Sequence, residues 1–508
     1  MATNVAPPHL ARRTATSKIT TFASDIFRTV PLIHDIPLAL SRLKSFPRRL
    51  TLSEVSGSFG DFGTFIPLTI ALSRSGAISL PPAIFFAGLS NILAGLAWDL
   101  PMPVQPMKSI AAAAVVEQLS RSSVTASGIL VGSMLILLSI TNLIEVINMI
   151  VPVTVVSGLQ LGLGIKLSSL GISMVTDLPF ASQIDCGLLG VLSAILGVVL
   201  LKNEASTLEN KIKLLPPAAV TLFLIALTLA SIELKINGDD PLYDLPLKMF
   251  GPSVVYWAVD GINPSDWREG FFNLALPQLP LTTLNSVVSV AALASTLYPE
   301  RRKPPHPQTR RSSRHKISTD DNVLSRREVA MSVGLLNSIF CLFGGMPNCH
   351  GAGGLAGQHR FGARNGTSVI FLGILKITIA IFFGASALTF FEAIPSSILG
   401  VLLAIAGAEL GLTGLLLTFK DIHVSSPDSK TKLFVLMCTT VVIVGTGKTQ
   451  YGVLAGLVAY VFYGDGFEEY KKLLQWARQP TPAATSEEME DVTTHIEVDE
   501  EDDKNDEV

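Results

Sequence analysis

The sequence predicts an all-α polytopic membrane protein with about 14 transmembrane spans, arranged as a 7+7 inverted repeat with two broken short spans. Hydrophobic residues make up 48% of the 508-residue chain, charged residues make up 16%, and the mean hydropathy is +0.47. This composition is typical of a polytopic membrane protein and not of a soluble enzyme of the same length. Two further observations predict this fold class: successive apolar runs, and a set of Gly- and Pro-containing pieces that recurs along the chain.

Apolar runs follow one another along most of the chain. A hydrocarbon core about 30 Å thick needs roughly 20 residues of helix, and the third and tenth runs are too short to cross it. Both contain or directly follow Gly- and Pro-rich pieces, so we expect broken helices whose backbone lines a protein cavity. The predicted spans are 58–75, 82–98, 107–119, 124–150, 152–172, 184–201, 214–234, 277–298, 328–345, 348–363, 367–391, 394–419, 432–447 and 451–465.

Positive charge identifies the cytoplasmic side, because cytoplasmic loops carry an excess of Lys and Arg. With the N-terminus inside, 27 of the 38 Lys and Arg residues fall on the inner side and 6 on the outer side. This bias favours an even number of spans with both termini in the cytosol. The formal net charge of −3 hides the asymmetry, and no nucleic-acid partner follows from it.

The spans and their loops divide the chain into consecutive parts. We expect the last part to be disordered, because it is acidic and poor in apolar residues, and to contain no soluble regulatory domain. The predicted parts are a basic cytosolic N-terminal tail (1–50), the first inverted repeat with spans 1–7 (51–234), an external loop (235–276), the second inverted repeat with spans 8–14 (277–465), which includes a basic cytosolic insertion (299–327), and the acidic C-terminal tail (466–508).

Unusual pieces of sequence recur in the two halves at a constant distance. Met102 and the proline after it match Met346 and its proline, and Gly164–Leu167 matches Gly407–Leu410, both roughly 243 residues apart. Seven spans in each half, an odd number, give the halves opposite orientations. Inverted repeats with broken helices are the transporter arrangement in which substrate binds near the membrane midplane.

The two broken spans form the predicted binding site. A helix N-terminus presents backbone N–H groups and the positive end of the helix dipole, so two such termini at one cavity favour an anion. We therefore expect an oxyanion ligand, with glycines that let the backbone approach it. The predicted substrate-binding residues are Gln105, Lys108 and Ser109 in the first half, Asn348, Cys349, His350, Gly351, Gly353 and Gly354 in the second half, and Thr64, Gln278 and Thr282 in the flanking spans.

Each of these residues also has a purely structural interpretation. The glycines allow close helix packing, as small residues do in membranes. His350 fits a core histidine with its hydrogen bonds satisfied, and Cys349 fits a small packing residue. Lys108 is able to snorkel or to pair with Glu117. The polar set as a whole is what favours a binding site.

Two acidic residues are the predicted proton-coupling groups. Asp61 lies within the first span, and an intramembrane acid marks a functional site by default. Asp61 either carries a proton that neutralises the entry of an anion, or pairs with Lys108. Glu409 matches Lys166 in the repeat and is the second candidate, with a structural ion pair between the repeats as the alternative.

No residue pattern indicates an enzyme. The four cysteines lack the spacing of metal ligands, and the loops contain no phosphate-binding loop, metal cluster or catalytic triad. We therefore expect no catalytic residues, no metal site and no cofactor.

Three long segments resemble the sulfate permease superfamily, and more closely its plant and algal molybdate transporter branch. They are Phe59–Pro67, Pro101–Ala112 and Phe343–Gly362. The resemblance covers residues 50–465 and implies high-affinity molybdate uptake, a seven-plus-seven inverted repeat, core and gate subdomains that move against each other, and a homodimer.

The chain departs from the wider superfamily at one position in the site. Where those proteins tend to carry Ser-Arg at the start of the tenth span, this chain has Gly353 and Gly354. We expect Lys108, from the opposite repeat, to supply the missing positive charge.

The predicted function is secondary active transport of molybdate by alternating access, coupled to protons. Transport of sulfate or another tetrahedral oxyanion is the first alternative, since backbone N–H groups recognise charge and shape and not the central atom. An anion channel is the second alternative. The protein is embedded in a lipid bilayer, for which we expect the plasma or vacuolar membrane rather than a mitochondrial membrane, to which only the basic N-terminus points.

Overall fold

The computed structural model describes 36–210, most of 218–464 and two residues near the N-terminus. The helices and strands reported below belong to one compact unit that ends at Ala459, and the second unit is described only as the last residues of the final helix. The C-terminal tail lies outside the described residues, as do most of the N-terminal tail, most of the basic insertion and 237–255 of the external loop. These undescribed ranges are 1–28, 31–35, 211–217, 237–255, 302–322, 420–426 and 465–508.

The first half consists of helices and one short strand. Two of its helices begin at capping side chains: the Thr51 side chain accepts from the backbone N–H of Glu54 at α2, and Ser120 accepts from that of Ser123 at α6. The elements are α1 (Ile36–Arg49), α2 (Leu52–Phe59), α3 (Phe62–Arg74), α4 (Leu80–Trp98), β1 (Val104–Pro106), α5 (Lys108–Val116), α6 (Arg121–Ile140), α7 (Leu143–Ile150), α8 (Val153–Thr176), α9 (Gly187–Asn210) and α10 (Ala218–Ile236).

The second half repeats this mixture of long helices and one short strand. Its elements are α11 (Pro264–Glu269), a π-helical segment (Gly270–Ala275), α12 (Leu276–Leu281), a second π-helical segment (Thr282–Ser289), α13 (Val290–Leu297), a 3₁₀ turn (Pro299–Arg301), α14 (Arg326–Phe340), a 3₁₀ turn (Cys341–Phe343), β2 (Asn348–His350), α15 (Ala352–Arg360), α16 (Thr367–Phe383), a 3₁₀ turn (Gly384–Ser386), α17 (Ala387–Glu392), α18 (Ser396–Phe419), α19 (Pro427–Thr446) and α20 (Thr449–Tyr463).

The helical stretch that contains the predicted eighth span differs from its prediction. It starts at Pro264, inside the expected external loop, because Asp266 accepts a hydrogen bond from the Asn263 N–H at 2.9 Å and so forms a helix start. From there it continues without interruption to Leu297. Prolines 277 and 280 lack the N–H that an α-helix needs, and a π-helical segment follows them.

The predicted N-terminal tail also contains structure. Its last residues form α1, whose Arg42 donates to the carbonyl oxygens of Leu96 and Ala97 at the end of α4, at 2.5 and 2.7 Å. Arg49 forms an ion pair with Asp99 at 2.7 Å. This segment is therefore a helix that caps the end of α4, where the sequence indicated only a basic tail.

Helices suited to a membrane dominate the fold. Among the described residues, six helices are long and apolar enough to span, and a seventh results if α2 and α3, which meet at a 42° bend, are one span. Helix α9 exposes a row of aliphatic side chains, each at least 48% exposed, as expected of a lipid-facing surface. The fold is that of a polytopic membrane protein, and the number of fourteen spans stays a prediction. The exposed row is Val191, Leu192, Ile195, Val198 and Val199.

Three pairs of long helices make the most extensive contacts in the described part of the chain: α4 with α16, α6 with α14, and α8 with α18. Glycines face each other in every pair, so close that a Cβ atom on one would lie 2.5–2.9 Å from the backbone of the other helix. Small residues allow such backbone approach, which is how helices associate where lipid supplies no hydrophobic driving force. The facing glycines are Gly88 and Gly373, Gly132 and Gly334, and Gly164 and Gly407.

Candidate functional site

A two-stranded antiparallel ribbon joins the two halves of the chain at the candidate site. Strand β1 comes from the first half and strand β2 from the second, and a short helix starts two residues after the end of each strand. One further backbone bond extends the ribbon at either end: the Met107 N–H donates to Pro347 O at 2.9 Å, and the Gly351 N–H donates to Pro103 O at 3.4 Å. The register pairs Val104 with His350, Gln105 with Cys349, and Pro106 with Asn348.

Prolines explain why a strand, and not more helix, precedes each short helix. Pro101, Pro103 and Pro106 precede α5, and Pro347 precedes β2. Each proline lacks a donor and restricts the residue before it to extended backbone. Helix therefore starts only after the prolines end, so that α5 and α15, of nine residues each, both present their N-termini next to the ribbon.

The alternation of side chains along the ribbon separates the predicted site residues. Gln105 and Cys349 are opposite each other and share one face, whereas Asn348 and His350 belong to the other face. His350 Nε2 lies 3.3 Å from Ser332 Oγ, and the His350 ring packs edge-on against Trp98. The structure thus brings Gln105 and Cys349 together and points His350 toward α14 and α4.

Asn348 is held by its backbone. Its N–H donates to Asn337 Oδ1 at 2.7 Å, and its carbonyl oxygen accepts from Asn337 Nδ2 at 2.6 Å. Its own side-chain oxygen is buried and has no hydrogen-bond partner among the described residues. Asn337 therefore fixes β2 in place from α14, a role that the sequence does not indicate.

Asp61 lies at the break between α2 and α3 and is fully buried. Its Oδ1 accepts a short hydrogen bond from Gln105 Nε2. Its Oδ2 lies 3.6 Å from Lys376 Nζ, and the side chains of this ion pair are 0% and 3% exposed. The predicted alternative partner of Asp61 was Lys108, and the ion pair is instead with Lys376 on α16.

Lys376 is the functional candidate that the sequence interpretation missed. Besides Asp61, its ammonium lies 3.5 Å from the carbonyl oxygen of Val104 and 3.6 Å from the ring centroid of Phe65. It therefore contacts the ribbon, the first span and the buried acid at once. A signal was present in the sequence, because a lysine within an apolar run is expensive in a membrane and marks a functional site.

The N-terminus of α5 is capped by the side chain of Gln278. Its Oε1 accepts from the Ser109 N–H at 3.2 Å, the Ser109 hydroxyl at 2.6 Å and the Ile110 N–H at 3.3 Å. Its Nε2 donates to Thr282 Oγ1 at 2.7 Å. The structure thus brings Ser109, Gln278 and Thr282 together, and a side-chain oxygen already receives the donors expected to bind an anion.

The glycines at and just before the start of α15 face different neighbours. A Cβ atom on Gly354 would lie 2.5 Å from Pro103 Cγ, 2.6 Å from Gln105 Nε2 and 3.3 Å from Asp61 Oδ1. One on Gly351 would lie 2.5 Å from Gln105 Oε1, whereas one on Gly353 would meet the end of the Leu167 side chain at 2.8 Å. Gly351 and Gly354 therefore allow the Gln105 amide to pack against the start of α15, and Gly353 faces apolar surface.

Lys108 is the first residue of α5 and is half-buried. It forms no ion pair with a carboxylate of the described residues, and the groups that act on it electrostatically are Asp61, Cys349 and Lys166. The predicted pairing of Lys108 with Glu117 is absent in the described part of the chain, where Glu117 accepts from Asn273 at 3.4 Å.

The two remaining predicted residues lie on either side of this group. Thr64 is buried in the first turn of α3, where its N–H donates to Asp61 O at 3.0 Å. Glu409 on α18 lies 3.7 Å from Arg360 at the end of α15, with side chains 14% and 43% exposed. The ion pair of Glu409 is thus within the second half and not between the repeats. Within the described ranges, no cluster of three His, Cys, Asp or Glu side chains is suited to hold a metal ion.

Solved structures show the class of fold. The overall structure of SLC26A9 superimposes with a TM-score of 0.50 at 13% sequence identity, over 85% of this chain and 69% of that one. The murine Slc26a9 anion transporter in its inward-facing state gives the same score and identity over 84% and 70%. At this level of identity the similarity shows the fold alone, which is a polytopic transporter-type membrane fold.

Sequence relatives define the family. Residues 53–167 and 270–410 match the family described as molybdate transporter of MFS superfamily, and the chain belongs to this family. Molybdate transporter 2 of Arabidopsis thaliana is 37% identical over 471 residues, which cover 85% of this chain and 92% of the relative. Molybdate transporter 1 of the same plant is 32% identical over 81% and 88%, and molybdate transporter 1 of Chlamydomonas reinhardtii is 30% identical over 81% and 91%.

The predicted resemblance is therefore confirmed. The chain is a membrane transporter and not an enzyme, as its relatives are named transporters. Each of the two matched blocks contains one of the short helices that start at the ribbon.

Proposed function

We propose that this protein is a secondary active transporter that moves molybdate across a membrane by alternating access. The observation that carries the proposal is the ribbon of β1 and β2, which starts two short helices from one central point in a chain of the molybdate transporter family. Helix N-termini favour anions through their free N–H groups and their dipoles. An oxyanion bound between α5 and α15 would thus contact both halves of the chain.

The proposed architecture is the inverted repeat of seven plus seven spans, 51–234 and 277–465, with the broken third and tenth spans at its centre. The helix pairs support it. If each helix is replaced by its counterpart in the other half, the pair of α4 and α16 becomes the pair of α14 and α6, and the pair of α8 and α18 stays the same. A twofold relation of the halves requires this kind of exchange. Alternating access would then be a movement of one group of spans against the other around the bound anion.

The proposed roles in binding follow the faces of the ribbon. Lys108 supplies charge, and Ser109 and the N–H groups of Gly353 and Gly354 supply donors. Gln278 and Thr282 hold the first turn of α5 when no anion is present. Asn348 and His350 are directed to the other face of the ribbon, so we propose that they position β2 and do not contact the anion.

Asp61 is the proposed proton-coupling group, because it is a buried carboxylate next to both the ribbon and α15. Glu409 is the weaker candidate, since Arg360 already balances its charge. We further propose a homodimer in the plasma or vacuolar membrane, with cytosolic tails at 1–50 and 466–508 and a cytosolic insertion at 299–327.

Uptake in cells that lack their own molybdate transport tests the proposal. Cells expressing the chain should accumulate labelled molybdate with saturable kinetics, and a hundredfold excess of sulfate should compete only weakly. Equal competition by sulfate would favour a general transporter of tetrahedral oxyanions. A current of far more than about 10³ ions per second through each protein molecule would indicate a channel.

A further inference from the structure

We propose that Lys376 is a second positive charge of the anion site, paired with Asp61 while the site is empty and released to the anion when Asp61 takes up a proton. The inference rests on the proposed function, since it assigns a further residue to the same site. It starts from the ion pair at 3.6 Å between Lys376 Nζ and Asp61 Oδ2, which is buried on both sides.

The location of this pair connects it to the proposed anion site. Asp61 Oδ1 binds Gln105, and both groups lie against Gly354 in the first turn of α15. Lys376 is on the other oxygen of the same carboxylate and also lies 3.5 Å from Val104 O in β1. The Asp61 carboxylate therefore lies between the Lys376 ammonium and the first turn of α15, where we propose that the anion binds.

Asp61 retains an oxygen that can accept a proton. Its Oδ2 has no hydrogen-bond partner within the described ranges, and the distance of 3.6 Å to Lys376 exceeds that of a hydrogen bond. A proton taken from water would form an O–H bond at Oδ2 and remove the negative charge, while the Lys376 ammonium keeps its own protons. The lysine would then be an unpaired buried cation, which is unfavourable until an anion arrives.

The charges of Asp61, Lys376 and Lys108 balance a bound dianion only when one proton is added. The charged side chains that act on Asp61 are Lys376 on α16 and Lys108 on α5. On α8, Lys166 also acts on Lys108 but not on Asp61, and its amine makes an exposed contact with Gly447 O at 2.5 Å, where water screens its charge. With ionised Asp61, the two lysines leave a net charge of plus one, which becomes minus one when a dianion binds and zero when Asp61 is also protonated.

Calorimetric titration of the purified full-length protein with molybdate tests the inference, in two buffers with different heats of ionisation. The wild type should take up about one proton per molybdate bound. Asp61→Asn should take up none and bind at least as tightly, because Lys376 is permanently released. The double variant Asp61→Asn/Lys376→Met should bind at least about tenfold more weakly than Asp61→Asn, the effect of one charge-assisted interaction.

The double variant removes both charges at once, so it leaves no unpaired buried charge that would prevent folding. The matched control is Lys448→Met, which removes an exposed lysine that lies over the Tyr451 ring, and it should bind as the wild type does. Equal affinity of the double variant and Asp61→Asn would overturn the inference, and so would binding without proton uptake by the wild type. Absence of molybdate binding in the wild type would instead refute the proposed function.

Discussion

The close packing of Gly354 allows the sharpest prediction about the site. In Gly354→Ala, the added methyl group would lie 2.5 Å from Pro103 Cγ and 2.6 Å from Gln105 Nε2. Ordinary contact begins near 3.4 Å, so β1 and the first turn of α15 must separate by roughly 0.8–0.9 Å. The clash is with the ribbon itself, and the ring of a proline cannot rotate away.

Overpacking of this kind costs about 1–3 kcal/mol. If the anion-bound arrangement needs the ribbon in its present place, this cost appears as a loss of molybdate affinity of about 5- to 150-fold. The N–H of residue 354 is retained, so the effect reports the geometry and not a missing donor. The assay is the Michaelis constant of molybdate uptake, with the amount of protein at the membrane measured in parallel.

Two alanine substitutions serve as comparisons. Gly353→Ala should have a far smaller effect, because its Cβ meets only the flexible ends of the Leu167 and Leu410 side chains, at 2.8 and 3.8 Å. Gly445→Ala, where nothing lies within 4 Å of the added atom, should behave as the wild type. Equal losses for Gly353→Ala and Gly354→Ala, or no loss for Gly354→Ala, would refute the argument that the ribbon and α15 must be in close contact.

Three further substitutions test other parts of the structure. Gln278→Leu leaves three donors at the start of α5 without their acceptor, so we expect a loss of about 1–3 kcal/mol in thermal stability without molybdate and a larger stabilisation by added molybdate; unchanged stability would contradict the capping role. Glu145→Gln leaves the buried Arg326 charge unpaired and should cost about 3–5 kcal/mol, measured as a lower midpoint of thermal unfolding. Arg360→Ala should change stability by less than about 1 kcal/mol, because its pair with Glu409 is partly exposed, and a larger loss would show a structural role for this pair.

Much of the fold is predictable from sequence because the relevant signals are local. Apolar runs mark the spans, and the prolines before α5 and β2 mark the two places where helix gives way to strand. The early start of the predicted eighth span was missed because its signal, the capping pair of Asn263 and Asp266, is polar and therefore looks like a loop sequence.

The partners within the site could not be predicted in the same way, because they depend on which helices pack together. Nothing near Asp61 in sequence indicates that Lys376, 315 positions later, is its partner. The strand register is equally non-local: shifting it by one residue would exchange the faces of Cys349 and His350. The sequence predicted the residue types of the site, and the pairing of β1 with β2 decides which of them face Asp61.

Anomalous scattering at the molybdenum edge, from crystals of the full-length protein grown with molybdate, tests the central claim most directly. We predict one molybdenum peak between the first turns of α5 and α15, next to Lys108 and Gly354. A peak at any other place in the protein, with this position empty under saturating molybdate, would contradict a binding site formed by the two half-helices.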